Sequence, residues 1–276
     1  DLHSFPTRRS SDLRTFKQVP DTTEIRIDPE TNRLIRDGVP SIVNPFDGYA
    51  LEMAARIKDE RDDVKIVVVS MGPEQAKEAL KNCLAVGGDA AYLISGRKFG
   101  GSDTLATSYI LSRGIAKIEE TEGKFDAIFC GKQAIDGDTA QVGPELAEHL
   151  GLPQVTYGLT AEIVDDEIQI TRETEDGQEI LAMDFPCLVT ATKPNFDPRL
   201  PKIKDKLAAR KKEITVLSED DLDCDFSLCG LGGSPTKVKK TFVPPVKQGG
   251  MKIEAETGEE EVRRSEERRV GKECRS

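Results

Sequence analysis

Two patterns of hydrophobic residues alternate along the first half of the chain. Three short runs are almost entirely apolar, which is typical of strands that are buried on both faces of a sheet. These runs are residues 64–70, 90–94 and 125–130. Apolar residues at helical spacing mark residues 46–57, 74–86 and 103–119, and a further helix is expected after Asp138. Strands that alternate with helices of this length predict an α/β fold with a doubly wound, mainly parallel sheet.

The pattern changes after Leu152. Short strand-like segments with polar turns follow one another, and we expect them to add antiparallel strands to the sheet. They are residues 154–158, 160–164, 167–174, 178–183 and 188–192. Residues 202–212 form a basic helix or loop, and residues 24–36 are expected to form a short hairpin. The charged composition beyond residue 249 predicts an extended C-terminal arm.

Both ends of the chain resemble translated sequencing adapter. The bases AGATCGGAAGAGC encode the sequence found at residues 264–267, and their reverse complement encodes that of residues 10–13. We therefore expect residues 1–13 and 265–276 to be artefacts that truncate the native first strand and last helix. The expected organisation is a nucleotide-binding α/β domain at residues 14–248, followed by the arm at residues 249–264.

Composition excludes several classes of function. The formal net charge of −11 argues against a nucleic-acid or anionic-membrane partner. No apolar run is long enough to span a membrane. The six cysteines are mostly scattered in apolar runs and are expected to be reduced core thiols, although Cys224 and Cys229 could also suggest a metal site. His149 lies in a helix and is expected to be a surface or packing residue, so a cofactor must carry any chemistry.

The junction after the third apolar run is the candidate site. Gly131 and Gly137 let the backbone turn, and Asp138 followed by Gln141 matches a capping box at the start of a helix. A phosphate could approach the main-chain amides of residues 140–142, helped by the hydroxyl of Thr139. A capped helix without any ligand is the alternative interpretation of the same pattern.

Two further loops strengthen the case for a ligand. Residues 41–47 and 70–73 also follow predicted strands and carry small or turn-forming residues. Asn44 suits an N-cap, Pro45 the first helical position and Asp47 the positive end of the helix dipole. In open α/β sheets, such loops converge beyond the carboxyl ends of the strands, where ligands bind.

Four segments resemble the beta subunits of electron transfer flavoproteins. They are KQVPDT at residues 17–22, GVPSIVNPFD at 38–47, GKQAIDGDTAQVGP at 131–144 and GSPTKV at 233–238. The resemblance runs in order over roughly residues 15–262. It implies a fold like that of the adenine nucleotide alpha hydrolases, and a cytoplasmic heterodimer with an alpha subunit that holds FAD.

The resemblance also implies that the beta subunit binds its own adenine nucleotide, with no catalytic or metal-binding side chain. This nucleotide is FAD in electron-bifurcating members and AMP in simple carriers. The expected cofactor-binding residues are Thr15, Asn44, Pro45, Phe46, Asp47, Met71, Gly131, Lys132, Gln133, Ala134, Ile135, Asp136, Gly137, Asp138, Thr139, Ala140, Gln141 and Val142.

The run GDTAQVGP at residues 137–144 looks more like the bifurcating branch. NADH would then reduce the beta-bound FAD, one electron would pass to a ferredoxin or flavodoxin, and the other would reach an acyl-CoA dehydrogenase-type partner through the alpha subunit. Redox activity is expected only with the alpha subunit and flavin. The alternatives are a simple carrier with structural AMP and a stress-protein-like module that binds ATP and regulates.

Residues 192–210 correspond to the loop that simple carriers use to grip a dehydrogenase. Asn195 stands at the position expected for the apolar anchor, and Phe196 follows it. Phe196 is either an exposed anchor or a residue buried under a turn, and the sequence leaves both possibilities open.

Overall fold

A computed structural model describes residues 10–16, 18–20, 41–239 and 254–264, with side chains described from Ile42 onward. The strands are β1 (Ser10–Phe16), β2 (Gln18–Pro20), β3 (Ser41–Val43), β4 (Val64–Met71), β5 (Ala90–Ile94), β6 (Ala127–Gly131), β7 (Gln154–Val164), β8 (Glu167–Glu173), β9 (Gln178–Met183), β10 (Cys187–Ala191) and β11 (Thr215–Leu217). The helices are α1 (Pro45–Glu60), α2 (Ala76–Val86), α3 (Thr104–Glu122), α4 (Val142–Leu150), α5 (Ile203–Lys211) and α6 (Gly230–Gly233). The hairpin expected at residues 24–36 lies outside the described residues.

Nine strands form one sheet in the order β11-β5-β4-β1-β6-β10-β7-β8-β9. Neighbouring strands are parallel from β11 to β7, whereas β7, β8 and β9 are antiparallel. The chain builds outward from β1 through β4 to β5 and then crosses to β6, on the other side of β1. This confirms the predicted doubly wound sheet, and it places the switch in strand order at β1, where open α/β sheets bind ligands.

Both faces of the central sheet are covered by apolar side chains. Ile66 and Val68 of β4 belong to a core formed with α1 and α2. Val67 and Val69 point to the opposite core, formed with α3 and α4. This double burial explains why the strands are apolar at nearly every position instead of alternating. The ends of β4, β5, β6, α1, α2 and α3 lie within three residues of the sequence prediction.

Strand β7 corrects the prediction for the second half of the chain. Two strands were expected at residues 154–158 and 160–164, but the structure has one strand with a bulge. Tyr157 has a φ of 62°, and its N–H donates to Thr190 Oγ1 at 3.2 Å instead of to the strand ladder. A bulge interrupts the alternation of side chains, so the sequence pattern there resembles a turn between two strands.

Less of the structure is described at the two ends of the chain than in its middle. The backbone of β1 includes residues 10–13, and the assignment of residues 1–13 and 265–276 to adapter stays a prediction. The chain divides after Lys239 into two units, and residues 258–264 in the second are helical. In the part of the chain that the structure describes, no helix is long and apolar enough to cross a membrane.

The cysteines behave as expected for reduced thiols. The five described cysteines form no disulfide, and among them only Cys224 is not buried; they are Cys83, Cys130, Cys187, Cys224 and Cys229. Burial raises the pKa of the Cys224 thiol to about 11, with a further contribution from the neighbouring Cys229. Among the described residues, no cluster of three or more potential ligands could hold a metal ion.

Candidate functional site

The loop that follows β6 rests directly on the start of helix α1. The N–H of Gly131 donates to Asp47 Oδ1 at 2.8 Å. A Cβ at position 131 would lie 2.5 Å from that same oxygen and 2.7 Å from the main-chain nitrogen of Asp47. Only glycine permits this approach, so Gly131 joins the end of β6 to α1.

Asn44 fixes the next part of the loop. It is 1% exposed, its Nδ2 donates to the carbonyl of Gln133 at 2.8 Å, and its Oδ1 accepts from the N–H of Ile135 at 3.2 Å. Asn44 does occupy the N-cap position of α1, but its side chain makes no capping hydrogen bond. The expected cap is therefore replaced by a long-range clamp, which local sequence spacing cannot reveal.

The capping box predicted at Asp138 is wrong. Helix α4 begins at Val142, and Asp138 Oδ1 instead accepts from Gln133 Nε2 at 2.7 Å. The N–H groups of Gly137 and Asp138 both donate to the carbonyl of Ala134, at 3.2 and 2.9 Å. This tight turn, closed by the side chains of the loop itself, takes the place of the first helical turn that the sequence pattern suggested.

The left-handed positions of the loop are Asp138 and Ala140, with φ values of 50° and 54°. Gly137 was expected to be needed for the turn, but a Cβ there would meet no atom within 4 Å and its φ is not left-handed. Aspartate tolerates the left-handed region, whereas alanine pays roughly 1–2 kcal/mol for it. Strain of this kind is often found at ligand-binding loops.

A row of main-chain donors lies between this turn and α4. Within the described residues, the N–H groups of Thr139, Ala140, Gln141 and Val142 have no acceptor, and Glu145 is the first residue of the helix to donate, to the carbonyl of Gln141 at 3.0 Å. Consecutive free amides next to a helix N-terminus provide hydrogen bonds and positive potential for an anion. The carboxylate of Asp138 is engaged by Gln133 and need not face such an anion.

Helix α3 borders the same loop. Thr104 Oγ1 lies within hydrogen-bonding distance of two acceptors, Gln141 Oε1 at 3.3 Å and Glu145 Oε1 at 3.1 Å. Asp103 caps α3 by accepting from the N–H of Ala106, and its second oxygen accepts from the N–H and hydroxyl of Thr236. The GSPT segment is thus fixed beside the candidate site. Sequence reasoning found this segment only through the family resemblance.

Strand β7 lies on the other side of the loop. The N–H of Lys132 donates to the carbonyl of Ala191 at 2.8 Å, and its ammonium lies 4.7 Å from the centre of the Tyr157 ring. Gly131, Ala191 and Gly158 are aligned across β6, β10 and β7. Tyr157 therefore stands at the carboxyl edge of the sheet, although nothing in the sequence singled it out.

The remaining predicted residues reach the same edge with different surroundings. Thr15 is aligned with Val69, one position before the end of β1. Met71 ends β4 and packs partly buried against the core under α3 and α4. Beside it, the hydroxyl of Ser70 is buried without a hydrogen-bond partner. Phe46 packs edge-on against Tyr49, with ring centres 6.2 Å apart. The edge thus collects the predicted segments, while ligand contact by each residue stays a prediction.

In the segment that follows β10, Phe196 is not placed as an exposed anchor. Phe196 packs partly buried against the core, and the guanidinium of Arg56 lies 3.6 Å from the centre of its ring. This arrangement supports the buried interpretation of Phe196. The apolar side chains that the segment exposes are instead Leu200, Ile203 and Leu207, which are 88%, 80% and 53% exposed.

Comparison with known proteins identifies relatives over most of the chain. The family described as "Electron transfer flavoprotein domain" matches residues 31–222. The electron transfer flavoprotein subunit beta of Megasphaera elsdenii is 49% identical over 252 residues, which cover 91% of this chain and 93% of the relative. The caffeyl-CoA reductase-Etf complex subunit CarD of Acetobacterium woodii is 47% identical over 241 residues, 87% of this chain and 90% of the relative. Protein FixA of Azorhizobium caulinodans is 45% identical over 233 residues, 83% of each chain.

Proposed function

The chain belongs to the electron transfer flavoprotein family, and we propose that it is the beta subunit of a cytoplasmic, electron-bifurcating heterodimer that binds FAD at the carboxyl edge of its sheet. The alpha subunit of this heterodimer holds a second FAD, and the arm at residues 249–264 contacts that subunit. A simple carrier that binds AMP at the same edge is the alternative.

The free amides of residues 139–142 are the observation that supports a nucleotide most directly. They form a short row of donors at the start of α4, and a phosphoryl group is the part of FAD or AMP that such donors recognise. The strained φ of Ala140 keeps this part of the chain out of the helix, so that its N–H groups stay available. Lys132, at the other end of the loop, adds a positive charge.

FAD bound here would supply the hydride and single-electron chemistry that these side chains lack. The protein contributes position and electrostatics. Asn44 and Asp47 hold the loop against α1, and α3 supports it from the other side through Thr104. A loop fixed by hydrogen bonds on two sides binds a phosphate without a large cost for ordering the backbone.

Two observations favour bifurcation over simple transfer. The run GDTAQVGP at residues 137–144 resembles that branch, and the name of the CarD relative places that protein in a caffeyl-CoA reductase-Etf complex. We therefore propose that NADH is the electron donor, that one electron leaves to a ferredoxin or flavodoxin, and that the other reaches an acyl-CoA dehydrogenase-type enzyme through the alpha subunit.

The cofactor content of the purified heterodimer tests this proposal. The chain is co-produced with its alpha subunit, denatured with acid, and the released FAD and AMP are quantified by chromatography. We expect two FAD per heterodimer and anaerobic reduction of flavin by NADH. One FAD with one AMP and no reaction with NADH would select the simple carrier, and the absence of any adenine nucleotide beyond that of the alpha subunit would reject both.

The dehydrogenase partner is proposed to bind the exposed face of residues 200–207. Leu200 and Ile203 are apolar and almost fully exposed, whereas Phe196 is held by the core and by Arg56. Changing Leu200→Ala should raise the KM for the partner at least tenfold, as expected of an anchor that fills a pocket. Phe196→Ala provides the comparison in the same segment, and an equal loss of affinity in both variants would contradict Leu200 as the anchor.

A further inference from the structure

A cluster of charged side chains ties this docking segment to helix α1. We call Arg199, Glu52 and Asp59 the Arg199 cluster. The guanidinium of Arg199 donates to both oxygens of Glu52, at 2.8 and 3.2 Å, and to both oxygens of Asp59, at 3.2 and 2.7 Å. A planar guanidinium that is bonded to two carboxylates in this way has one orientation.

The backbone at residue 199 is fixed as well. The N–H of Arg199 donates to Glu52 Oε2 at 3.0 Å, and Arg56 Nε donates to the other oxygen of Glu52 at 3.1 Å. Glu52 is only 5% exposed. Burial alone would raise the pKa of Glu52, but the hydrogen bonds and charge of Arg199, together with Arg56, hold it below its ordinary value. The carboxylate is therefore ionised and fully engaged at neutral pH.

The segment has little else to hold it at this point. Residues 192–202 contain no helix or strand. A cavity of about 300 Å³ lies next to Pro198, Arg199 and Pro201, bounded on the other side by residues of α1 and α2 such as Leu51 and Val86. Among the described residues, close packing is therefore incomplete beneath residues 198–201. The ion pairs of Arg199 attach this part of the segment, whereas Phe196 attaches the part before it.

The residue after the cluster is the most exposed apolar side chain of the segment. Leu200 follows Arg199 directly, and Ile203 begins α5 one turn further on. The sequence around them is basic, with one aspartate at position 205 among the basic residues Lys202, Lys204, Lys206, Arg210 and Lys211. A partner with an apolar pocket and an acidic rim has the complementary chemistry.

We propose that the Arg199 cluster is a positioning device that presents Leu200 in a fixed orientation to an apolar pocket of the redox partner. The inference rests on the docking face proposed above and adds the residues that preorganise it. A segment that is already ordered pays less conformational entropy on binding, so the cluster strengthens association without touching the partner. Arg199, Glu52 and Asp59 are positioning residues in this account.

The test compares Arg199→Met with Arg61→Met in the heterodimer. Arg61 also makes a two-pronged ion pair, to Asp63 at 3.0 and 3.0 Å beside the end of α1, but it does not contact the docking segment. The readouts are KM and kcat with the partner dehydrogenase, and hydrogen exchange of the peptide that covers residues 192–207. Arg199→Lys serves as the conservative variant, because lysine keeps the positive charge but lacks the planar guanidinium that binds a carboxylate through two hydrogen bonds.

We expect Arg199→Met to raise KM five- to twentyfold, with kcat and flavin content within twofold of wild type, and to accelerate exchange in residues 192–207. Arg199→Lys should lie between wild type and Arg199→Met, and Arg61→Met should change none of these quantities. In the Leu200→Ala background, Arg199→Met should add little, because the anchor that it positions is gone.

Two results would overturn the inference in distinguishable ways. If Arg199→Met leaves KM unchanged while Leu200→Ala raises it, the docking face is right and the positioning role is wrong. If neither change affects KM, the docking face itself is wrong. Should Arg199→Met fail to fold, Asp59→Asn weakens the cluster at an exposed carboxylate. A rise in KM and faster hydrogen exchange in residues 192–207 would then support the positioning role, and no change in either would contradict it.

Discussion

At the scale of single residues, the two glycines of the site loop have different roles. Gly131 is required because α1 approaches its backbone, with the nitrogen and a carboxylate oxygen of Asp47 too close for a Cβ. Gly137 has open space around it and no left-handed backbone. The sequence analysis assigned both glycines to turning the backbone, because spacing along the chain does not reveal which helix will contact each position.

Replacing these glycines by alanine separates the two roles. Gly131→Ala forces α1 away from β6 and should destabilise the protein by about 1–3 kcal/mol, with loss of bound nucleotide. Gly137→Ala should change stability by less than about 1 kcal/mol and retain the nucleotide. Urea unfolding and the nucleotide content of the heterodimer measure both effects. Equal stability of the two variants would contradict the close approach at Gly131.

Asn44 is the side chain on which the loop depends most. Asn44→Ala leaves the carbonyl of Gln133 and the N–H of Ile135 without their buried partner, which should cost about 1–3 kcal/mol. The loop should loosen, and nucleotide should be lost during purification. Asn195→Ala, at an exposed position, is the matched control. Full retention of nucleotide by Asn44→Ala would show that the clamp does not support the site.

At the scale of elements, α1 connects the candidate site to the proposed docking segment. Its start holds the site loop through Asn44 and Asp47. Glu52 in its middle and Asp59 in its last turn hold the proposed docking segment. The sequence predicted α1 to within three residues from its apolar spacing, but neither attachment. Glu52 and Arg199 are 147 residues apart, so no local pattern could pair them.

Other elements were predictable to different degrees. The buried strands β4, β5 and β6 were predictable as apolar runs, because burial on both faces favours apolar side chains at nearly every position. The start of α4 was misplaced because Asp138 bonds to Gln133 instead of to its own helix. The single strand β7 was divided in two because its bulge at Tyr157 interrupts the alternating pattern.

The ion pairs of α1 predict a dependence of stability on pH. The pKa of Asp59 is lowered chiefly by its hydrogen bonds to Arg199, and that of Glu52 is lowered despite its burial. A carboxylate with a lowered pKa stabilises the fold above its ordinary pKa and loses this contribution as the pH falls through the folded-state value. The ordinary values are 3.8 for Asp59 and 4.5 for Glu52.

The difference in urea stability between wild type and Arg199→Met should therefore be constant above about pH 5 and shrink below about pH 4. Unfolding midpoints measured across this range provide the test, and Arg61→Met serves as the control for a pair at the surface. A difference that stays the same at low pH would mean that the cluster acts through packing and not through charge.

At the scale of the whole molecule, charge is distributed unevenly. The chain carries a formal net charge of −11, yet residues 202–212 are strongly basic. If residues 202–212 form the proposed docking face, association with the partner should be faster at low ionic strength and slower when salt screens the attraction. We expect the apparent second-order rate of electron transfer to the dehydrogenase to fall as salt is raised from 0.02 to 0.2 M. No change over that range would exclude a charged docking face.

The family assignment accounts for the architecture, whereas the proposed nucleotide site depends on one short stretch of backbone. The amides of residues 139–142 are available because α4 starts late and the preceding turn closes on itself. A structure of the heterodimer purified with its own cofactors tests this point most directly. We expect phosphate oxygens of FAD within hydrogen-bonding distance of those four N–H groups. Donation of the same groups to protein acceptors, with the cofactor absent from that edge or bound elsewhere, would contradict it.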